Sequence, residues 1–233
     1  MRHCSYHGEW PYSLVHLMQK QLVIFDLDGT LLNTIADLAA ATNHALNTCN
    51  YAEHPIAAYH TFVGNGITKL IERALPPQAR TEAEIQHVRN RFVTYYNVHC
   101  TDLTQPYDGI NTLLHHLQDN GVAVAVASNK YQQATEQIIA HFFPKIRFAA
   151  VLGQRNGIPT KPDPTIVHEI MGCRYKAVQT LFVGDSDVDM QTAANAGVEA
   201  VGVTWGFRTV AELQRFHPKH IVHRPEEIFE FCV

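Results

Sequence analysis

Apolar residues fall along this chain in two rhythms. Short unbroken runs lie near 21–26, 122–127, 148–152, 180–184 and 199–203, the first being Leu22-Val23-Ile24-Phe25. Four of the five are rich in β-branched residues, as expected of parallel strands buried on both faces. Phe148-Ala149-Ala150-Val151-Leu152 has little β-branching and predicts an edge strand. Helical periodicity fills 109–120, 130–142, 164–171 and 188–197. Asp163-Pro164 marks a helix start, and Asn120-Gly121 and Gly197 mark helix ends. Strands alternating with helices imply an α/β fold with a doubly wound, mostly parallel five-stranded sheet.

The stretch 33–104 breaks the alternation. It carries no strand signal, and its patterns predict helices over 34–49, 66–75 and 82–100, with Pro76-Pro77 between the last two. It reads as an all-helical cap inserted after the first strand, leaving and re-entering beside the loop at that strand's end, where it can roof a site. Gln105-Pro106-Tyr107-Asp108-Gly109 reads as the return linker. The expected division is therefore an extension over 1–17, an α/β core over 18–32 and 105–233, and the cap over 33–104. Residues 1–17 show no cleavable signal pattern. Met18 stands just before the first strand, so the extension is either native chain or lies upstream of the natural start.

Composition narrows the class. The 233 residues are 46% hydrophobic and 17% charged with a formal net charge of −4, which argues for a packed core and against a basic field for nucleic acid or membrane. No apolar run reaches the roughly 20 residues of a membrane span. Five scattered cysteines (Cys4, Cys49, Cys100, Cys173, Cys232) form no CxxC pair and read as reduced thiols of a cytoplasmic protein. The fifteen histidines show no ligand spacing and read as ordinary surface or core residues.

In open α/β sheets, ligands bind beyond the carboxyl ends of the strands. The first strand is followed by Asp26 and Asp28, the second by Ser128, Asn129 and Lys130, and the third by a loop with Lys161. The fourth is followed by Asp185, Ser186, Asp187 and Asp189. Like charges about 4 Å apart cost roughly 4 kcal/mol near a protein surface, and a divalent cation removes that cost. These residue types suit phosphate-ester hydrolysis. One carboxylate can attack phosphorus, and a second, two residues on, can serve as acid and then base. Mg²⁺, Lys161 and Ser128 can stabilise the phosphoryl oxygens, with backbone N–H groups of Leu27, Asn129 and Lys130 as further donors.

Asp26-Leu27-Asp28-Gly29-Thr30-Leu31, Ser128-Asn129-Lys130, Lys161-Pro162-Asp163-Pro164 and Gly184-Asp185-Ser186-Asp187-Val188-Asp189 resemble, in order and spacing, the four motifs of the haloacid dehalogenase-like phosphatases. The helical insert resembles that superfamily's small helical cap. Phe62-Val63-Gly64-Asn65-Gly66 and Gly202-Val203-Thr204-Trp205-Gly206-Phe207 are similar to its phosphoglycolate phosphatase branch. The resemblance implies Asp26 as nucleophile and Asp28 as general acid/base. It implies Mg²⁺ held by Asp26, the Asp28 carbonyl and Asp185, with Asp189 in support and phosphate held by Ser128, Asn129 and Lys161. The implied partner is a small phosphorylated metabolite, 2-phosphoglycolate first, for a monomer or homodimer. Asn33 departs from the aspartate that relatives often carry.

Plainer roles stand beside these. Ser128 can be a helix N-cap, Ser186 and Asp189 have the spacing of a capping box, and Lys130, a candidate substrate-specificity residue with Gly64, Asn65 and Gly66, can be a helix-start lysine. Gly64-Asn65-Gly66 is either a turn into the next helix or a set of donors for a substrate carboxylate. A phosphomutase of the β-phosphoglucomutase kind would share the core motifs. A haloacid dehalogenase would need no Asp28. A phosphoacceptor module would lack the insert.

Overall fold

The structure, a computed structural model, describes residues 19–232. The 1–17 extension and Met18 lie outside the described residues. All five expected strands form: β1 (Leu22–Phe25), β4 (Ala123–Tyr131), β5 (Phe148–Gln154), β6 (Thr180–Gly184) and β7 (Glu199–Val203). A sixth, β8 (His220–Val222), extends the sheet, so five strands is corrected to six. Three residues are too short for a period to register. The order is β5-β4-β1-β6-β7-β8, and every pairing is parallel. β5 is an edge strand, as its composition predicts. β2 (Leu32–Asn33) and β3 (Gln105–Pro106) pair separately as an antiparallel ribbon.

β1 is the centre of the sheet and contributes to both faces. Val23 and Phe25 join the larger core, while Leu22 and Ile24 join the core on the other side. Helices α5 (Ile110–Asp119), α6 (Gln132–Phe142), α7 (Thr165–Met171), α8 (Asp187–Ala196) and α9 (Val210–Gln214) connect the strands. α8 opens with a full capping box between Ser186 and Asp189.

Between β2 and β3 run α1 (Ile35–Thr48), α2 (Ile56–Phe62), α3 (Gly66–Ala74) and α4 (Glu82–His99). α3 buries Ile67, Leu70, Ile71 and Ala74, the one-sided stripe of an amphipathic helix. α2 has no counterpart in the expected helices; its seven residues span two turns and show no clear stripe. The two passages of chain into and out of this helical segment are fastened together by Asp37. Its buried carboxylate accepts from the Leu103 and Thr104 N–H groups and from Thr104 Oγ1.

Candidate active site

Register explains why distant motifs meet. Phe25 of β1 lies beside Val126 of β4 and Val183 of β6. Asp26 is one residue past Phe25, while Ser128 and Asp185 are each two past their partners. The strand order reverses around β1, which makes this edge the crevice of a doubly wound sheet. The Asp26 N–H donates to the Val183 carbonyl at 2.9 Å, tying the first acidic loop to β6.

Carboxylate oxygens of Asp26, Asp185 and Asp189 all lie within 4.8 Å of one another. Lys161 Nζ donates to Asp26 Oδ1 at 2.8 Å and to Asp189 Oδ1 at 2.7 Å. Asp185 Oδ2 accepts from the Phe207 N–H at 2.6 Å, and Thr30 Oγ1 donates to Asp185 Oδ1 at 3.4 Å. Asp189 Oδ2 accepts from Ser186 Oγ and Ser186 N, so Asp189 caps α8 and holds Lys161 at once. Asp187 points elsewhere, half exposed near Arg208.

Electrostatics sets the character of this cluster. Burial, then the charge of Asp189, push the Asp26 carboxyl up from 3.8 to about 7 against the pull of Lys161. Burial, Asp189 and Asp26 together push Asp185 well above the carboxylate range. Burial opposes charge on Lys161, but Asp189 and Asp26 raise its proton affinity overall. With all three acids ionised, three negative charges share one ammonium. A buried, all-oxygen donor set with uncompensated charge fits a hard divalent cation.

Glycines let the backbone crowd Asp185. Gly29 has φ +87°, and a Cβ there would fall 2.4 Å from Asp185 Oδ2. A Cβ at Gly206 would fall 2.2 Å from Asp185 Cβ.

Asp28 faces away from this cluster. Its Oδ1 accepts from Thr34 Oγ1 at 2.7 Å and pairs with Lys130 Nζ at 3.0 Å. Lys130 Nζ also donates to the hydroxyl of Tyr96, on α4, at 3.0 Å. Burial, then the charge of Asp28, raise the Tyr96 phenol well above its ordinary range, so it stays protonated. Tyr96 was not among the residues expected at the site.

Ser128, Asn129 and Lys130 occupy the end of β4, which runs through a register shift to Tyr131; α6 begins only at Gln132. Ser128 is therefore not the N-cap, which is Tyr131, and Lys130 is not a helix-start residue. The buried Ser128 Oγ accepts the Lys130 N–H at 3.2 Å, so that amide, expected as a phosphate donor, is engaged within the chain. The Asn129 side chain is also spent: it donates to the Gly64 and Lys161 carbonyls and accepts from Lys161 N.

Gly64-Asn65-Gly66 forms the turn into α3, with positive φ at both glycines. Gly64 and Gly66 line the cleft. Asn65 Oδ1 instead accepts from Arg73 Nη2 at 2.7 Å. Arg73 also donates to the Phe62 carbonyl and so braces the turn. Trp205 packs with its Nε1–H on the Thr30 carbonyl.

The cleft between sheet edge and helical segment is lined by Asp26, Asp28, Ser128, Lys130, Asp185 and Tyr96 among its polar residues. Buried carboxylates, a fixed ammonium and a serine hydroxyl with its proton unspent among the described residues thus gather at the switch point of a doubly wound sheet, an arrangement suited to anionic ligands. Residues 23–203 match the family described as Haloacid dehalogenase-like hydrolase, and the chain belongs to that family. A phosphoglycolate phosphatase of Haemophilus influenzae (strain 86-028NP) is 34% identical over 196 residues, 81% of this chain and 88% of the relative. One from Cereibacter sphaeroides (strain ATCC 17025 / ATH 2.4.3) is 35% identical over 188 residues, 80% of this chain and 86% of the relative. A crystal structure described as a predicted phosphoglycolate phosphatase from Haemophilus somnus 129pt superposes with TM-score 0.85 at 30% identity, covering 92% of this chain and 99% of that one. Within the family, the chain is an enzyme of the phosphatase kind. No helix among the described residues is long and apolar enough to cross a membrane.

Proposed function

We propose that the chain hydrolyses a small phosphomonoester, with 2-phosphoglycolate to glycolate and phosphate as the leading reaction. The observation that carries this is the Lys161 bridge between Asp26 and Asp189 beside Asp185, with Asp28 held apart at 3.0 Å from Lys130. Two carboxylates two residues apart thus have different surroundings, which suits two different roles.

In this reading Asp26 Oδ attacks phosphorus, the ester P–O bond breaks, and an aspartyl-phosphate forms. Asp28 gives its proton to the departing alkoxide and then takes one from the water that cleaves the aspartyl-phosphate. Lys161 and the Ser128 hydroxyl hold non-bridging oxygens, and Asp189 keeps Lys161 in place. Mg²⁺ held by Asp26 and Asp185, with the Asp28 carbonyl, would supply charge neutralisation of the phosphoryl group. The helical segment 33–104 acts as a cap that excludes water and selects substrate, and 18–32 with 105–233 forms the catalytic core. Relatives named for phosphoglycolate support that substrate. The free thiols Cys49, Cys100, Cys173 and Cys232 accord with a reducing, cytoplasmic setting.

Steady-state release of phosphate from p-nitrophenyl phosphate and 2-phosphoglycolate with Mg²⁺ tests the proposal. Asp26→Asn is expected to abolish both activities. Full turnover in that variant overturns the mechanism, and interconversion of a sugar phosphate without phosphate release favours a mutase.

A further inference from the structure

The Lys130–Tyr96 contact joins the sheet to the helical segment across the cleft, and its hydrogen bonds do not close on themselves. A phenol oxygen that accepts from an ammonium still has one proton to donate. Tyr96 is fully buried and lines the cleft, and no hydrogen bond among the described residues uses that proton. The Lys130 ammonium has three donors. One goes to Tyr96 and one faces Asp28 Oδ1 at 3.0 Å, leaving a third. Two unspent donors, one on each side of a buried contact, thus belong to residues that line the cleft together with Asp28.

Arg208 is the other cation lining this cleft; its guanidinium braces the His60 and Val63 carbonyls and its Nε lies toward Asp187, 4.0 Å away, whereas Lys130 pairs with Asp28. The walls from Leu38, Ile67, Leu70 and Phe92 are apolar and offer nothing to a polyhydroxylated chain.

We infer that Lys130 and Tyr96 together form the specificity subsite, taking a carboxylate borne on the same carbon as the phosphate ester. The inference rests on the phosphomonoesterase reading above. A carboxylate presents two oxygens, which matches two donors from two elements. The leaving oxygen must lie at Asp28, and Lys130 Nζ is 3.0 Å from that side chain. The second anion is therefore close to the ester oxygen, which suits the short spacer of an α-phosphooxy carboxylate. Tyr96 comes from α4 and Lys130 from β4, so the subsite is complete only with the helical segment over the sheet. Lys130 and Tyr96 are positioned to bind substrate, and neither needs to exchange a proton.

The test compares 2-phosphoglycolate with ethyl phosphate, which has a methyl group in place of the carboxylate. p-Nitrophenyl phosphate with Mg²⁺ serves as the reference. The wild-type enzyme is expected to prefer 2-phosphoglycolate by about 100-fold in kcat/KM, the usual worth of a charged hydrogen-bonded pair. Tyr96→Phe should remove about tenfold of that preference, mainly as a rise in KM for 2-phosphoglycolate. Lys130→Gln should remove more. Equal losses on both substrates in Tyr96→Phe, or no preference in the wild type, overturn the subsite while leaving the phosphatase intact. Wild-type inactivity on all three esters overturns the phosphatase reading and the subsite with it. Circular dichroism accompanies each variant; Tyr96→Phe removes a single hydroxyl and decides the matter if Lys130→Gln fails to fold.

Discussion

Lys161 Nζ stands 2.8 Å from Asp26 Oδ1, although 135 residues separate the two in the chain. The ammonium is almost completely buried, so this contact is weakly screened by water. It also has to satisfy Asp189 at 2.7 Å, while the Phe207 N–H and the charge of Arg208 act on Asp185 alone.

Lys161→Met follows from that geometry. Removing the ammonium leaves a buried, uncompensated acidic cluster, a loss of about 3–5 kcal/mol by analogy with other broken buried pairs. Thermal unfolding in EDTA should therefore shift down sharply, and Mg²⁺ should recover part of the shift. Phosphatase activity should fall at least 100-fold, because a positive charge facing the phosphoryl oxygens is gone. Unchanged melting in EDTA would show that the cluster does not depend on this lysine.

Asp26 makes stability depend on pH. Its folded-state value of about 7 exceeds the ordinary 3.8, so between those values the native state holds a proton that the unfolded chain has released. Stability must fall as pH rises through that window and level off above it. In EDTA the wild-type midpoint should decline from about pH 4 to about pH 7, and Mg²⁺ should stabilise the protein more at pH 8 than at pH 5. Asp26→Asn should flatten part of the decline and raise the midpoint in EDTA at pH 8 while abolishing turnover. A melting temperature in EDTA that rises across this pH range contradicts the assignment.

Much of this site is legible in the sequence because charge is out of place there. Asp26 and Asp185 each follow a strand of fully buried residues, and only a ligand or cation reconciles acids with that position. Tyr96 is hidden for the opposite reason. In α4 it is one of three buried positions with Val88 and Phe92, and a tyrosine in that stripe looks like core. Its value lies in a contact to Lys130, 34 residues away, which no local pattern encodes. The overrun of β4 was likewise set by pairing with β5, where Tyr131 meets Gln154 past a register shift. β8 and α2 are too short to carry a period.

Asp28 and Asp26 should separate by leaving group. Asp28, paired with Thr34 and Lys130, is the acid for the departing oxygen in this reading. p-Nitrophenolate leaves readily without a proton, whereas an alkoxide does not. Asp28→Asn should thus cost about 10²–10⁴-fold on 2-phosphoglycolate and clearly less on p-nitrophenyl phosphate. Equal losses on both esters would remove Asp28 from the acid role.

The backbone around Asp185 leaves no room for a side chain. Gly29→Ala adds a Cβ 2.4 Å from Asp185 Oδ2 at a residue with φ +87°, so both a clash and a strained conformation result. A left-handed non-glycine residue alone costs of order 1–3 kcal/mol. Asp185 has to move, and the Mg²⁺ concentration for half-maximal activity should rise several-fold with a lower melting temperature. A variant with wild-type metal dependence would show that Asp185 tolerates displacement.

Arg208 links the acidic cluster to the helical segment. Its neighbour Phe207 donates its N–H to Asp185 Oδ2 at 2.6 Å, and Arg208 Nη2 donates to the Val63 carbonyl at 2.8 Å, beside the turn that lines the cleft. One short loop thus holds a cluster carboxylate with its backbone and the helical segment with its side chain. Phe207 also meets His60 edge to face at 5.6 Å. Arg208→Ala removes the donors to His60 and Val63 but leaves the Phe207 N–H in place. Hydrogen exchange at residues 60–66 should accelerate, since closing contacts are lost while the helices themselves are intact. kcat/KM should fall about tenfold on a small substrate that needs a closed roof, with the Mg²⁺ requirement nearly constant. If exchange at 60–66 stays at the wild-type rate, the guanidinium does not hold the roof, and the His60–Phe207 and Asn129–Gly64 contacts must carry that task instead.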